Sequence, residues 1–130
     1  MTATVHSNAD QESRRVLIVE DHPDSRDTLR MVIEGWGHEV EVASDGAAGL
    51  QKVLDWHPDA AVVDIGLPVL DGYELAKEVR AKVGSKVRLI ALSGYSQPQD
   101  RHRAAEAGFN VYLTKPADLD CLSQLLVTTR

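Results

Sequence analysis

The sequence predicts an α/β fold: five short strands alternating with five helices, doubly wound as one parallel sheet with helices on both faces. Three observations predict it. Short, nearly wholly apolar runs recur at Val16–Val19, Ala60–Val63, Val87–Leu92 and Val111–Leu113. Such runs fit strands buried on both faces. Stretches with apolar residues at helical spacing lie between them, and four of the five strands end in a residue able to do chemistry. Regular alternation of the two element types implies right-handed crossovers.

The elements follow in order. Val16–Val19 ends in Glu20-Asp21. Pro23 and Asp24 then open a first helix, whose apolar face is Leu29, Val32, Ile33 and Trp36 and which Gly35 and Gly37 end. Glu39–Ala43 alternates polar and apolar residues, as an edge strand does when one side meets water. Ser44-Asp45 caps a second helix with Ala47, Leu50, Val53 and Leu54 on its inner face, and Pro58-Asp59 breaks the chain before the third strand. Leu75, Ala76, Val79 and Val83 mark a third helix, stopped by Gly84. Pro98–Ala107 reads as a fourth, stopped by Gly108. Its apolar content is mostly alanine (Ala104, Ala105, Ala107), which predicts loose packing and easy movement. Leu119, Leu122, Leu125 and Leu126 give the fifth, capped by Asp118. Cys121 among those leucines reads as a small buried apolar residue.

Composition bounds the possibilities. The chain has 130 residues, enough for one domain with a real core, and its 43% hydrophobic and 26% charged content is that of a globular protein. A formal net charge of -6 argues against a direct nucleic-acid grip, which needs a basic face. No apolar stretch approaches bilayer length, so no membrane partner is expected. Met1–Ser13 lacks the apolar core of a signal peptide, and a lone cysteine excludes an internal disulfide; both fit a cytoplasmic location. Residues 1–14 are polar and aperiodic and read as a disordered arm, leaving one folded domain at 15–128. No repeat or second domain boundary is visible.

The chemistry gathers at the strand ends: Glu20-Asp21, Asp64, Ser93 and Lys115. In an open parallel sheet the carboxyl ends of the strands share a rim where ligands bind. Taken singly, each has a plainer reading: Glu20, Asp21 and Asp64 as caps, Ser93 as a turn hydroxyl, Lys115 as a solvated charge. Together, three carboxylates repel unless a pKa rises or a cation joins them. Hard oxygen ligands favour Mg²⁺. His6, His22, His38, His57 and His102 have no metal-ligand spacing, which disfavours zinc. Acids, a divalent metal, a hydroxyl and a lysine form a set suited to phosphoryl groups, and a carboxylate such as Asp64 can itself be the nucleophile.

Four segments, in order, resemble the receiver domain of two-component response regulators: Val16–Asp21, Val63–Gly72 (Val-Asp-Ile-Gly-Leu-Pro-Val-Leu-Asp-Gly), Leu92-Ser93-Gly94 and Tyr112–Pro116. The resemblance covers roughly Arg14 to Val127. It implies the flavodoxin-like strand order 2-1-3-4-5. It implies that Asp64 is the phosphoacceptor and that Asp21, Asp64 and the Gly66 carbonyl are Mg²⁺ ligands, with Glu20 acting through water. Ser93 and Lys115 would each bond a phosphoryl oxygen. Tyr112 matches an aromatic switch position that moves with Ser93, and the Lys115–Pro116 peptide would be cis. A histidine kinase or a histidine phosphotransfer protein is the implied donor. A downstream protein is the implied target, met through the surface of helix 4, strand 5 and helix 5, which could also pair two copies. The implied role is a phosphoacceptor switch rather than an enzyme.

There are departures from the family pattern. Glu20-Asp21 stands where Asp-Asp is more frequent, and Ala117 follows Pro116 where an aromatic is common. Tyr95 could shield an acyl phosphate or be an exposed loop aromatic. Arg101–Arg103 reads as a solvated helix face. Two other classes remain: a Mg²⁺-dependent phosphohydrolase, against which Gly66 stands where a second Asp would be expected, and a docking module indifferent to phosphorylation.

Overall fold

Every apolar run becomes a parallel strand, and every amphipathic stretch becomes a helix laid on the sheet. The computed structural model describes residues 13–94 and 97–127. The elements are β1 (Arg15–Val19), α1 (Pro23–Gly35), β2 (Glu39–Ala43), α2 (Gly46–Trp56), β3 (Ala60–Asp64), α3 (Gly72–Val83), β4 (Arg88–Ser93), α4 (Pro98–Ala107), β5 (Val111–Thr114) and α5 (Leu119–Val127). The strands lie in the order β2-β1-β3-β4-β5, all neighbouring pairs parallel. This is the fold that the alternation and the resemblance predict, with β2 at an edge. Residues 1–12 of the expected arm, and Tyr95, lie outside the described residues.

The two-residue period of the strands divides the core. In β1, Leu17 and Val19 point to the layer of α2, α3 and α4, where Val53, Leu75, Val79, Ala104 and Ala107 pack. Val16 and Ile18 point to the layer of α1 and α5, where Ile33, Leu122 and Leu126 pack. All four β1 residues are fully buried, as are Ile33 and Leu122. Each such aliphatic side chain stabilises the fold by about 1.5–3 kcal/mol relative to exposure. The helix α4 buries Ala104 and Ala107, in keeping with its alanine-rich sequence.

Three sequence expectations need correction. The fully buried residues of α2 are Gly46, Gly49 and Val53; Leu50 is half-buried and packs against the core as expected, while Ala47 is exposed and Leu54 only half-buried. The reason is close approach: a Cβ on Gly49 would lie 3.0 Å from Val19 Cγ2, and one on Gly46 would overlap the Leu70 carbonyl. Glycine brings the helix backbone close against Val19 and Leu70, and the larger Leu50 packs at the margin of the same core. In α5, Cys121 is exposed, because it sits a helical step of roughly 100° from the buried Leu122. Leu119 is 45% exposed, since it begins α5 at the carboxyl rim, beyond the strands.

At the opposite, amino-terminal rim, Arg80 of α3 ties three segments together. Its Nε donates to the Gly108 carbonyl (2.9 Å) and its guanidinium nitrogens donate to the carbonyls of Gly84 and Val87 (both 2.8 Å) and to Asn110 Oδ1 (2.7 Å). Asn110 Oδ1 also accepts from the Leu89 N–H at 2.8 Å. By the starts of β1 and β2, buried His38 accepts the Arg14 N–H on Nδ1 (3.0 Å), while the Arg14 guanidinium donates to the Val127 carbonyl (3.2 Å).

Two predictions follow from this rim. Replacing Arg80 with Met strands several acceptors, so urea unfolding should show a loss of about 2–3 kcal/mol. A loss near zero would mean that water replaces these bonds at no penalty. For His38, burial first, and then the Arg14 charge, hold the imidazole below its ordinary 6.5, with Asp59 opposing. The folded state thus prefers neutral His38. The stability it contributes is complete above pH 6.5 and is lost as pH falls through that value towards the lowered folded pKa. Denaturation midpoints of His38→Asn, measured between pH 7.5 and 5.5, should lack this component. Parallel pH profiles for the two proteins would refute it.

Candidate functional site at the carboxyl rim

The strand order decides which side chains meet. β1 and β3 are neighbours, so Glu20 and Asp21, just beyond β1, come beside Asp64, the last residue of β3. One carboxylate oxygen from each lies within 4.8 Å of the others. Glu20 is 2% exposed, Asp64 is half-buried and Asp21 is open to solvent. Lys115, following β5, reaches across the rim. Its Nζ lies 3.4 Å from Glu20 Oε1 and 3.3 Å from Asp64 Oδ2.

Local structure holds each acid in place. Glu20 Oε2 accepts the His22 N–H at 3.0 Å, at the entry to α1, and the Glu20 carbonyl accepts from Arg26 at 3.3 Å. Asp64 Oδ1 accepts the Gly66 N–H at 3.1 Å, a tight turn that leaves Oδ2 facing Lys115. Gly72 starts α3 directly against this turn. A Cβ there would lie 2.8 Å from Ile65 Cα and 3.0 Å from the Asp64 carbonyl, so glycine is what fits. Asp71 caps α3, accepting the Glu74 N–H at 2.9 Å.

Ser93 ends β4 and is 2% exposed, and its carbonyl accepts the Lys115 N–H at 2.7 Å. The Lys115–Pro116 peptide is cis, as the resemblance implies. Tyr112 sits two residues before Thr114, which pairs with Ser93 in the sheet register, and packs half-buried against the core beneath α4. A groove of about 610 Å³ opens between α1 and the β5–α5 connection, lined by Leu29, Leu92, Pro116 and Ala117. The small Ala117 leaves this groove unfilled.

The electrostatics match the crowding. Burial raises the Glu20 carboxyl above its ordinary 4.5; the His22 N–H opposes this and the Asp64 charge adds to it. For Lys115, burial pulls the ammonium down, but Asp64 and Glu20 outweigh it and raise it above 10.5. Three acids against one ammonium leave an excess of negative charge when ionised. An all-oxygen donor set with that excess fits a hard divalent cation such as Mg²⁺.

Sequence reading missed the arginines of α4. Arg101 and Arg103 are exposed, yet they cover aromatic rings rather than a plain solvated face. The Arg101 guanidinium lies 4.9 Å from the Tyr112 ring and donates to the Tyr112 carbonyl (3.4 Å) and to Thr114 Oγ1 (3.2 Å). Arg103 lies 3.9 Å from the Tyr73 ring. These contacts join different elements, so no spacing within α4 announces them.

Comparison with known proteins agrees with the geometry. The sequence model of the response regulator receiver domain matches residues 16–127. An uncharacterized 14.6 kDa protein of Leptolyngbya boryana is 40% identical over 104 residues, which is 79% of each chain. The sensor protein EvgS of Escherichia coli K12 is 34% identical over 125 residues; these cover 92% of this chain and 10% of EvgS, so the chain spans about a tenth of that relative. Among solved structures, the chemotaxis protein CheY4 of Vibrio cholerae superimposes with a TM-score of 0.82 at 28% identity, covering 90% of this chain and all of CheY4. The receiver domain of the sensor histidine kinase PA1611 from Pseudomonas aeruginosa superimposes at 0.79 with 32% identity, covering 89% of this chain and 98% of that one. It holds a magnesium ion in its active-site cleft. Among the described residues no helix is long and apolar enough to cross a membrane. With its five-stranded order and acidic rim, the chain belongs to the response regulator receiver domains of two-component systems.

Proposed function

We propose that this receiver domain takes a phosphoryl group from a phosphohistidine onto Asp64 and so switches its surface for a partner protein. The observation that carries the reading is the position of Asp64. It ends a buried strand, with Lys115 Nζ 3.3 Å from Oδ2 and the carboxylates of Glu20 and Asp21 alongside. A carboxylate in that setting is constrained in orientation and is paired with a cation that can also meet a phosphoryl oxygen.

In the transfer, an Asp64 oxygen attacks phosphorus and the P–N bond to the donor imidazole breaks. The departing nitrogen keeps the electron pair and takes up a proton. Lys115 balances the charge gathering on the phosphoryl oxygens. Asp21, Asp64 and the Gly66 carbonyl would hold Mg²⁺, with Glu20 reaching it through water. When bound, the ion supplies further charge neutralisation at the same oxygens. The magnesium-bearing cleft of the PA1611 receiver supports this assignment. Gly66, where a carboxylate would be needed for acid–base turnover, favours a phosphoacceptor over a hydrolase.

Once phosphorylated, Asp64 attracts the Ser93 hydroxyl from the end of β4 and keeps Lys115. The β4–α4 connection follows, then α4 and Tyr112, and the α4–β5–α5 surface changes its partner preference. Moving such an equilibrium from one side nearly fully to the other takes about 5.5 kcal/mol of differential interaction. The few buried residues of α4, Ala104 and Ala107, keep the resistance to that movement low.

Two measurements test this. Incubated with radiolabelled acetyl phosphate and Mg²⁺, the wild-type protein should take up an alkali-labile label that Asp64→Asn abolishes. Undiminished labelling of the variant would sink the assignment. By calorimetry, Asp21→Asn should weaken Mg²⁺ binding at least about tenfold. In the wild type, affinity should fall with pH earlier than ordinary carboxylates dictate. Glu20 is protonated over a higher range, and its proton competes with the metal. Glu20→Gln should remove that early fall; an unaltered profile would count against it.

A further inference from the structure

Arg101 ties the first turn of α4 to β5. Its own N–H donates to the Gln97 carbonyl at 3.3 Å, which places it at the start of the helix. Its side chain leaves the helix and reaches over the strand. The guanidinium lies 4.9 Å from the centre of the Tyr112 ring. It donates through Nη1 to the Tyr112 carbonyl (3.4 Å) and through Nη2 to Thr114 Oγ1 (3.2 Å). Both ends of this tie border the candidate phosphoryl site. Thr114 pairs with Ser93 in the sheet register and immediately precedes Lys115. The connection that leads into α4 begins at Ser93, the last residue of β4.

The strand order gives the tie a direction. β4 lies between β3, which ends in Asp64, and β5, which carries the Arg101 contacts. A phosphoryl group on Asp64 draws Ser93 and the connection after it towards β3, and that movement is away from β5. Arg101 pulls the same turn of α4 the other way. Its two hydrogen bonds already lie at the long end of the usual range, so they have little slack. A contact made in one arrangement and lost in the other biases the equilibrium between them.

We propose that Arg101 is a positioning residue that opposes the response to phosphorylation. Its contacts with Tyr112 and Thr114 hold α4 on β5 in the unphosphorylated arrangement, and a phosphoryl group must break them to move the helix. This rests on the reading of Asp64 as acceptor. None of these contacts involves the carboxylates of the rim or Lys115 Nζ, so removing Arg101 leaves the chemistry in place. Arg101 is exposed, so its removal leaves no cavity. The planar guanidinium covers the ring and meets two acceptors at once, whereas a lysine keeps the charge without the fork. Arg103, two residues on, serves as the contrast: it lies 3.9 Å from the Tyr73 ring and joins α4 to α3 rather than to β5.

The experiment titrates beryllofluoride, a phosphoryl stand-in that is not transferred, into wild type, Arg101→Ala, Arg101→Lys and Arg103→Ala with Mg²⁺ present. Arg101→Ala should bind it about threefold more tightly than wild type. Arg101→Lys should fall between the two, and Arg103→Ala should match wild type. Arg101→Ala should melt slightly below wild type in Mg²⁺ alone, and saturating beryllofluoride should close that gap, because the bound state lacks the contact. Equal or weaker binding by Arg101→Ala overturns the proposal, as does a melting deficit that beryllofluoride leaves in place. An equal gain in Arg103→Ala also overturns it, since any loosening of α4 would then suffice. Wild type that neither binds beryllofluoride nor labels from acetyl phosphate would overturn the Asp64 reading itself.

Discussion

Asp64 stands at the end of a strand whose other residues are all buried, next to a second carboxylate, Glu20, that is itself almost wholly out of water. Two acids so placed repel each other and lose hydration, and the fold answers on three sides. Backbone N–H groups of His22 and Gly66 each donate to one carboxylate. Lys115 arrives from the far end of the sheet to touch both. Asp21 leaves an open, negatively charged face where a divalent cation fits. The pairing of Lys115 with the acids at the ends of β1 and β3 spans the strand order β1-β3-β4-β5, in which the long lysine side chain reaches over the end of β4.

The two rims of the sheet divide the work. At the amino-terminal rim, Arg80 fastens the end of α3 to the starts of β4 and β5 through carbonyl and amide oxygens. A cation there meets only neutral acceptors, so the contacts hold structure and carry no response to added charge. At the carboxyl rim, charge is concentrated and incompletely balanced. Under the proposed function a phosphoryl group arriving there would change the balance directly, and α4 beside it buries little. The helix α4 rests on two alanines, and its link to β5 is the exposed Arg101 beside Tyr112 and Thr114. An exposed cation–π contact of this kind is worth about 0.5–1 kcal/mol, small enough for a rearrangement to break.

Much of this was legible in the linear pattern. Wholly apolar runs named the strands, alternation named β2 as an edge, and Asp45 and Gly84 marked helix ends. Glu20, Asp21, Asp64 and Lys115 were recognisable as a group because a parallel sheet brings strand ends to one rim. Other features left no such trace. Gly46 and Gly49 read as gaps in the apolar face of α2, yet they share that face with Val53, because what matters there is how near the helix comes to Val19 and Leu70. Cys121 shares a stripe of leucines in sequence but turns to solvent in the helix. Val69 gives no hint of its positive φ, a conformation that glycine or asparagine accepts more readily.

Local sequence therefore set the elements, their order along the chain and the kinds of chemistry carried at their ends, since these follow from periodicity, caps and side-chain type. Distances between elements were settled by packing. How far Lys115 sits from Glu20 and Asp64, that Arg80 reaches Gly108 and Asn110, and that Arg101 lies over Tyr112 depend on how helices and strands stack. Contacts between residues 28 or 95 positions apart are fixed by the geometry of the closed core, which no neighbouring stretch of sequence contains.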